Sequence, residues 1–381
     1  MIKILKKSLI LLFFGILVMF TVACTDGALN TNDTAESEDT NEDGDSVTTE
    51  TTYSGGDQEV IEWRMQSSWA SGLEIQRQAD HFAEKVNEMS GGRLQITSLP
   101  SGSVVEGLEV FDATENGVID VGYTASFYWV GNEPVAPFFA AVPAGLTATE
   151  YIMWLYHGDG LELWQELYED YNFGYVAPAG LNSTEIFAWS NKPIDSLDDF
   201  NGLKFRTVGY WGEILTELGA SVVTLAGSEI YGALERGVID AAEFANPESD
   251  YVSGMHEVAE YAYVPGIHQP TSLMEMFINK DSWEALPLDL QAIVEEAAKA
   301  TTIEGLGNTL VKDSEALKNL EEYGTKIERL SPEIMQEIAN LAHELYEEKS
   351  AEDPFFKKVY ESQMEYKEIY EHLQSYMEID Y

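Results

Sequence analysis

The stretch KFRTVGYWGEILTELGASVVTLAGSEIYGALERGVIDAAEFAN, residues 204–246, gives the clearest sign of the fold class. Its pattern predicts a short strand ending at Arg206, a helix, a strand, a second helix and a last buried strand. Such alternation is typical of an α/β sheet, where ligands bind at the carboxyl ends of strands. Arg206 and Glu243 both stand at strand ends. Because a guanidinium holds a carboxylate with two hydrogen bonds, we predict an organic-acid site at Arg206; a structural salt bridge is the alternative.

Two short segments share one pattern. Residues 115–121 read ENGVIDV and residues 235–241 read ERGVIDA, and each predicts a helix end, a glycine cap and a buried strand. A chance helix-glycine-strand junction is the alternative, because the motif is short. If the repeat is real, each half of the molecule contains this unit once. The residues that follow the two copies, 122–128 and 243–247, then face a shared cleft.

The whole chain predicts two α/β lobes and a helical tail. Its 381 residues, 45% of them hydrophobic, exceed the size at which a single core keeps growing. The first ordered residues predict a βαβ unit, and Pro354 predicts an interruption in the helical tail. The expected boundaries are 59–181 for lobe I with part of 271–330, 182–270 for lobe II, and 331–381 for the C-terminal helices.

The first residues predict export and a lipid anchor. Residues 1–23 combine early lysines with an apolar run of signal-peptide length, and Cys24, the only cysteine, follows Thr-Val-Ala. This arrangement resembles a bacterial lipobox. We therefore predict acylation of Cys24 and a location outside the cytoplasm, anchored to the cell membrane; an uncleaved membrane anchor is the alternative. Residues 24–58 are acidic and contain no Lys or Arg, which predicts a disordered, extended tether.

Composition excludes several classes of function. The chain has 21 Lys and Arg against 67 Asp and Glu, a formal net charge of −46, so nucleic acid and anionic membrane surfaces are unfavourable partners. No Ser-His-Asp, phosphate-loop or zinc-ligand spacing is present, and the six histidines form no paired arrangement. We therefore predict neither histidine-based catalysis nor a zinc site.

Three glutamates raise the question of a metal. Glu243 follows a buried strand, Glu275 interrupts the apolar run LMEMFI, and Glu185 lies in a segment rich in Trp and Phe. A buried carboxylate has to be paired, protonated or bound to a metal, whereas strand alternation can also place it on a solvated face. Near one arginine, the carboxylates repel each other unless a cation joins them. Carboxylate and carbonyl oxygens suit a hard ion, so we predict calcium or sodium and not zinc.

Longer motifs resemble a known family. Residues 125–168, ASFYWVGNEPVAPFFAAVPAGLTATEYIMWLYHGDGLELWQELY, are similar to a signature of the DctP-type extracytoplasmic solute receptors of tripartite ATP-independent periplasmic (TRAP) transporters, in the branch that binds 2-oxoacids and monocarboxylates. The motifs between Arg206 and Glu243 match the same branch in order. The resemblance runs from about Glu62 to the C-terminal helices. It implies a two-lobed periplasmic-binding-protein (venus-flytrap) fold with crossing strands and a long connecting helix.

The resemblance also implies roles for site residues. Arg206 matches the arginine that holds the substrate carboxylate, and Glu243, the backbone carbonyl of Phe244 and Glu275 match positions that bind a bridging cation. Glu185 stands where the branch usually has a neutral Gln, which favours a divalent ion at this metal site. Phe244 stands where the branch often has Trp, which alters the shape of the pocket. The further predicted substrate contacts are Trp69, Tyr128, Asn182, Trp211 and Asn246.

The implied function is capture of a small 2-oxo or 2-hydroxy monocarboxylate, such as pyruvate or lactate, with a bridging cation, for delivery to TRAP membrane subunits. A receptor of this kind has no catalytic residues, so the resemblance also implies a protein that is not an enzyme. The family also forms homodimers through C-terminal helices, where this chain has an apolar stripe; packing of that stripe on its own lobe is the alternative. Two other functions stay open: a lipoprotein that senses the acid, and a secreted hydrolase that uses Glu185 and Glu243 as acid and base. The stripe consists of Phe355, Phe356, Tyr360, Met364, Tyr366, Tyr370, Leu373, Tyr376 and Met377.

Overall fold

A computed structural model describes residues 60–377 and shows a mixed α/β architecture built on two sheets. The predicted α/β class is confirmed. The predicted signal peptide, Cys24 and the tether lie outside the described residues. Within 60–377, no helix combines the length and apolarity that crossing a bilayer requires.

The strands and helices alternate along most of the chain, and three long helices occupy its last third. The strands are Ile61–Ser67 (β1), Leu94–Leu99 (β2), Val121–Thr124 (β3), Phe173–Asn182 (β4), Ala188–Ser190 (β5), Lys204–Arg206 (β6), Ser221–Val223 (β7), Ala241–Ala242 (β8), Tyr261–Val264 (β9), Ser272–Asn279 (β10) and Lys326–Arg329 (β11). The helices are Glu74–Met89 (α1), Val110–Glu115 (α2), Ala148–His157 (α3), Gly160–Leu167 (α4), Trp211–Glu217 (α5), Gly227–Glu235 (α6), Pro247–Val252 (α7), Met255–Val258 (α8), Lys280–Glu284 (α9), Leu288–Tyr323 (α10), Pro332–Glu352 (α11) and Pro354–Met377 (α12).

The two sheets are both mixed. The first has the strand order β2-β1-β3-β10-β4, and the second has the order β11-β9-β5-β8-β6-β7. β1 pairs in parallel with β2 and β3, as the predicted βαβ unit requires, and β6 pairs in parallel with β7 and β8. β10 runs antiparallel between β3 and β4, and all of its residues are buried. Long buried runs of this kind are typical of strands covered on both faces.

Two chain segments cross between the sheets beside each other. Residues 183–187 lead from β4 in the first sheet to β5 in the second, and residues 265–271 lead back from β9 to β10. The Glu185 N–H donates to the Gln269 carbonyl oxygen at 3.3 Å, and the Gly266 N–H donates to the Glu185 carbonyl oxygen at 3.0 Å. The crossing segments therefore support each other, and they place polar residues in the region between the sheets.

The repeated segments have the same local structure. The Arg64 N–H donates to Asp120 Oδ2 at 2.8 Å, and the Asp120 N–H donates to the Arg64 carbonyl oxygen at 3.0 Å. Asp240 and Lys204 make the same pair of hydrogen bonds, at 3.0 and 2.8 Å. The glycine of each copy has a positive φ, 69° in the first and 65° in the second, a conformation that favours glycine. The unit thus occurs once in each sheet, and β3 and β8 follow its two copies.

The C-terminal helices divide the apolar stripe into two parts. The helical tail is interrupted at Asp353, one residue before Pro354, as predicted. The first part of α12 is buried: Phe356 and Tyr360 pack on the ring of Phe138, 5.1 and 5.8 Å between centroids. The last part of α12 carries large apolar side chains that are exposed, namely Ile369, Leu373, Tyr376 and Met377.

Candidate functional site

Arg206 and Glu243 form a buried ion pair at the ends of neighbouring strands. β6 ends at Arg206, and Glu243 directly follows β8, which pairs with β6 in parallel. Arg206 Nη1 lies 3.0 Å from Glu243 Oε1 and 2.9 Å from the Glu243 carbonyl oxygen. Arg206 Nε and Nη2 donate to the carbonyl oxygen of Leu225. The two charged side chains are 2% and 1% exposed, so the guanidinium is held in one orientation in the protein interior.

The crossing segments bring a second carboxylate to this ion pair. Glu185 comes from residues 183–187 and His268 from residues 265–271, and His268 Nε2 lies 3.4 Å from Glu185 Oε2. Burial lowers the pKa of His268 to about 3, so the ring is neutral and this contact is not an ion pair. One ligand atom each from Glu185, Glu243 and His268 lie within 4.8 Å of one another. That upper limit is about twice the 2.3–2.6 Å length of a calcium–oxygen bond, so a single ion between these atoms could reach them.

A small cavity lies between these groups. Arg206, Glu185, Glu243 and Gln269 are among its lining residues. Only about 10 Å³ is open to the centre of a water-sized particle, so the walls must move apart to admit an acid together with a cation. Glu185 Oε2, Glu243 Oε2 and Gln269 Oε1 are buried oxygens without a hydrogen-bond partner among the described residues. A set of unpaired oxygens suits a hard cation better than the nitrogens of His268 do. The residues present therefore fit the cation that the family resemblance implies.

Gln269 was missed by the sequence analysis. The signal was the polar pair His268-Gln269 between two apolar segments, YAYV at β9 and SLMEMFIN at β10. A short segment that connects two buried strands keeps its own residues close to the protein interior. Neither His268 nor Gln269 carries a formal charge in this sequence, so the search for charged residues did not select them.

Charge is poorly balanced around the cavity. Burial raises the pKa of Glu185 well above its usual range, the charges of Glu243 and Asp250 raise it further, and Arg206 opposes this shift. Burial also raises the pKa of Glu243, again against the effect of Arg206. Both shifts express the same physical fact: two buried carboxylates face the cavity, and Arg206 is the one basic side chain among its lining residues.

Aromatic side chains form one wall of the cavity. Trp69, Tyr128 and Phe244, three of the predicted site residues, are all among its lining residues. The rings of Trp69 and Tyr128 lie 6.3 Å apart. Burial raises the pKa of Tyr128 to about 12, so its hydroxyl stays protonated and can donate a hydrogen bond at neutral pH. The structure thus brings these three residues to Arg206, Glu185 and Glu243.

Glu275, which was predicted to bind the same cation, does not line the cavity. Glu275 Oε1 accepts a hydrogen bond from Trp164 Nε1 at 2.9 Å, and Glu275 Oε2 accepts one from Trp129 Nε1 at 3.2 Å. Its neighbour Met274 lines the cavity, whereas Glu275 does not. Successive residues of a strand point to opposite faces, so β10 directs Glu275 away from the cavity, into the aromatic core behind it.

Three predicted substrate contacts also lie outside the cavity lining. Asn182 Oδ1 accepts a hydrogen bond from Gln78 Nε2 at 2.7 Å, which joins β4 to α1. Asn246 precedes α7, and its side-chain amide donates to Asp313 at 2.6 Å. Trp211, at the start of α5, is 1% exposed. Its ring lies 5.3 Å from that of Phe187 and 5.9 Å from that of His268. These side chains support neighbouring elements and do not face the cavity.

Comparisons with known proteins agree with the fold. The DctP model, described as bacterial extracellular solute-binding protein, family 7, matches residues 65–353. The monocarboxylate 2-oxoacid-binding periplasmic protein of Nostoc sp. is 37% identical over 301 residues, 79% of this chain and 82% of the relative. This relative and the family model cover most of the described residues.

Two solved structures have the same fold. A TRAP transporter solute-binding protein from Bordetella bronchiseptica, a mixed-occupancy dimer with calcium and picolinate, has a TM-score of 0.81 and 30% identity, covering 84% of this chain and 95% of its own. A TRAP solute-binding protein from Pseudoalteromonas atlantica, with sodium and pyruvate, has a TM-score of 0.80 and 31% identity, covering 84% and 97%. The predicted resemblance is confirmed, and this chain belongs to the DctP family of bacterial extracellular solute-binding proteins, the solute receptors of TRAP transporters.

Proposed function

We propose that this protein captures a small 2-oxo or 2-hydroxy monocarboxylate, such as pyruvate or lactate, together with a cation, and delivers it to TRAP membrane subunits. The observation that carries the proposal is one buried cavity lined by Arg206 and by two carboxylates with unpaired oxygens. Glu185 and Glu243 would repel an acid anion on its own. A cation between them and the acid removes this repulsion, and Arg206 supplies a charge-assisted hydrogen bond to the acid.

Each side chain then has a defined role. Arg206 holds the carboxylate of the acid, and Trp69 and Tyr128 contact the remainder of the molecule. Glu185, Glu243 and the backbone carbonyl of Phe244 bind the cation, and Gln269 adds a further oxygen. The sodium and pyruvate of the Pseudoalteromonas atlantica relative, and the calcium and picolinate of the Bordetella bronchiseptica relative, support this pairing of a cation with an acid.

Charge favours calcium over sodium. With Arg206, Glu185, Glu243 and the acid all ionised, the site carries two negative charges in excess. Calcium neutralises both, whereas sodium leaves one uncompensated in a buried cavity. Leaving a charge unpaired in the interior is unfavourable, so calcium is the cation that we propose.

Attachment and assembly belong to the same proposal. Acylated Cys24 holds the receptor at the outer face of the membrane, and the exposed end of α12 joins two copies into a dimer. The Bordetella bronchiseptica relative, a dimer, supports the second point. Cell fractionation tests the first: Cys24→Ser is expected to move the protein from the membrane fraction to the soluble one, and an unchanged distribution would contradict the anchor.

The function is tested by thermal unfolding of the purified chain in potassium buffer. Pyruvate or lactate is added with calcium, with sodium, and with a chelator in place of either ion. At an acid concentration about 100 times the Kd, binding contributes about 2.7 kcal/mol, which raises the Tm of a fold of this size by roughly 4 °C. We expect this rise with calcium, a smaller one with sodium and none with the chelator.

A different experimental result would contradict each part of the proposal. An equal rise in the presence of the chelator would remove the cation from the site. An equal rise with sodium and calcium would overturn the choice of ion. A rise with dicarboxylates or neutral sugars, and none with monocarboxylates, would overturn the substrate class.

A further inference from the structure

Two cavities of very different character adjoin at the site. Beside the small cavity of Arg206 lies a cleft of about 740 Å³. Glu106 is the one charged side chain among the residues lining this cleft, and apolar residues such as Leu73, Val222 and Met255 dominate its walls. The two spaces share lining residues, which we call the partition: Trp69, Phe127, Tyr128, Val208 and Phe244.

The position of the Phe244 ring is determined by its neighbours. Phe244 directly follows Glu243, the proposed cation ligand, and both residues line the small cavity. The ring rests on Gly227, the first residue of α6: a Cβ atom added at Gly227 would lie 2.3 Å from Phe244 Cε2. The absence of a side chain at this position therefore provides the space in which the ring lies. Gly227 lines the cleft but not the small cavity, so the ring lies between the two.

Two other large members of the partition, Trp69 and Phe127, are parts of the core, whereas Tyr128 is half-buried like Phe244. Trp69 and Phe127 are 5% and 8% exposed and belong to the hydrophobic cluster beneath the first sheet. Phe244 is only half-buried and packs at the edge of that cluster. Shortening Phe244 therefore opens the partition with a smaller loss of core packing than shortening Trp69 or Phe127, and it leaves in place Tyr128, which we assign to the acid.

We propose that Phe244 limits the length of the acid by closing the small cavity on the side of the apolar cleft. The inference rests on the proposed function, because it assumes that Arg206 holds the carboxylate of the acid. With the ring in place, the chain of a 2-oxo acid meets the partition after its first carbons. Without the ring, the chain enters the cleft, where each buried methylene strengthens binding by roughly fourfold.

The same geometry excludes a second acidic group. A dicarboxylate long enough to pass the partition places its far carboxylate among apolar residues and near Glu106. No basic side chain among the lining residues of the cleft compensates that charge. Phe244→Ala should therefore extend recognition to longer monocarboxylates and not to dicarboxylates.

The test is calorimetric titration, in the presence of calcium, with pyruvate and with the unbranched 2-oxo acids of four to six carbons. For the wild-type chain we expect affinity to fall at least tenfold from pyruvate to the six-carbon acid. For Phe244→Ala we expect the order to reverse, with affinity rising about fourfold for each added methylene. Phe244→Leu, which keeps an apolar side chain, should give an intermediate order and provides the test if the alanine variant is unstable. Leu108→Ala, at an exposed residue that lines the cleft but not the small cavity, is the control and should keep the wild-type order.

The outcomes separate this inference from the proposed function. Tight wild-type binding of the six-carbon acid, or an unchanged order in both Phe244 variants, overturns the role of Phe244 and leaves the acid receptor standing. Absence of binding for every 2-oxo acid in the wild type overturns both. Gly227→Ala gives an independent measurement, because the ring must leave its place: we expect the fall in affinity from pyruvate to the six-carbon acid to become smaller than in the wild type, and an unchanged order contradicts the inference.

Discussion

The guanidinium of Arg206 donates two hydrogen bonds to the carbonyl oxygen of Leu225 and two to Glu243. Gln66 is the equivalent of Arg206 in the first sheet: Gln66 pairs with Gly122, just after the first copy of the repeat, as Arg206 pairs with Ala242 after the second. Gln66 bonds the backbone at Val105, in the loop after the neighbouring strand, as Arg206 does at Leu225. Both side chains therefore hold a loop in place by hydrogen bonds, and Arg206 adds a positive charge. The same Arg206 side chain thus forms a structural ion pair with Glu243 and has the proposed role in binding the acid.

Replacing Arg206 should affect both stability and binding. Arg206→Ala leaves the buried Glu243 carboxylate without its counter-charge, and loss of one partner of a buried pair lowers the free energy of unfolding by about 3–5 kcal/mol. We expect denaturant unfolding to show this loss, and titration with pyruvate and calcium to show no binding. Arg236→Ala, at an exposed arginine, is the control and should change neither quantity.

A double variant separates the two roles of Arg206. Arg206→Met combined with Glu243→Gln removes both charges of the pair, so it should recover part of the lost stability. It should not recover binding, because both the acid contact and a cation ligand are missing. Pyruvate affinity within a few-fold of the wild type in either Arg206 variant would contradict the carboxylate assignment.

Glu275 should make stability depend on pH. Burial raises its pKa from 4.5 to about 7, although the hydrogen bonds from Trp164 and Trp129 oppose this shift. The folded state therefore keeps this proton at pH values where the unfolded chain has released it. The resulting stabilisation is complete below pH 4.5 and is lost as pH rises through about 7; it amounts to roughly 3 kcal/mol.

This prediction is tested by measuring the free energy of unfolding with denaturant, at pH 5 and at pH 8, for the wild type and for Glu275→Gln. The amide cannot release a proton, so the variant should lose less stability than the wild type between these conditions. Other buried acids titrate in both proteins and cancel in the comparison. Glu284→Gln, at an exposed acid, should retain the wild-type profile. Parallel profiles for wild type and Glu275→Gln would show that Glu275 is ionised throughout.

At the scale of elements, the crossing segments decide where the site is. Glu185 and Gln269 come from segments distant in sequence, and backbone hydrogen bonds between these segments hold them side by side. Arg206 and Glu243 come from adjacent parallel strands of the second sheet. The carboxyl ends of these strands and the two crossing segments therefore meet at one cavity, which is the expected place for a ligand in an α/β protein.

The end of α12 should mediate dimerisation. Exposed apolar residues recur at Ile369, Leu373, Tyr376 and Met377, a spacing that places them on one face of the helix. Ile369→Glu combined with Leu373→Glu should convert a dimer into a monomer in light scattering after gel filtration. Ser375→Glu, on the opposite face of the same helix, should leave the dimer intact. A monomeric wild type, or a dimer that survives the double substitution, would contradict the assignment.

At the scale of the whole molecule, charge opposes the compact state. The formal net charge of −46 causes repulsion that salt screens, because the Debye length falls from about 10 Å to about 3 Å between 0.1 and 1 M salt. We expect Tm to rise by several degrees over this range. Potassium chloride is the appropriate salt, with saturating calcium and pyruvate, so that occupancy of the site stays constant. A constant or falling Tm would show that repulsion does not limit stability.

Most of the fold and half of the site could be predicted from the sequence. Hydrophobic periodicity and glycine caps identified the strands and helices, and the GVID repeat identified equivalent strand ends in the two sheets. Glu275 shows what such prediction leaves open. An apolar run with one carboxylate indicates burial, but it does not tell which of two buried faces the side chain occupies. That choice depends on the register of β10 between β3 and β4.

The sequence by itself determined the α/β class, the repeated strand ends and the family, because these depend on local patterns and on motifs that stand together in the chain. It also identified Arg206 and Glu243, whose strand ends lie within one continuous stretch. The resemblance added Glu185 to them. Only the tertiary structure showed that Gln269 lines the same cavity and that Glu275 does not. Gln269 reaches the cavity because one crossing segment packs beside the other, and Glu275 does not because it lies on the other face of β10. Both facts depend on contacts between residues distant in sequence, which a local sequence pattern does not reveal.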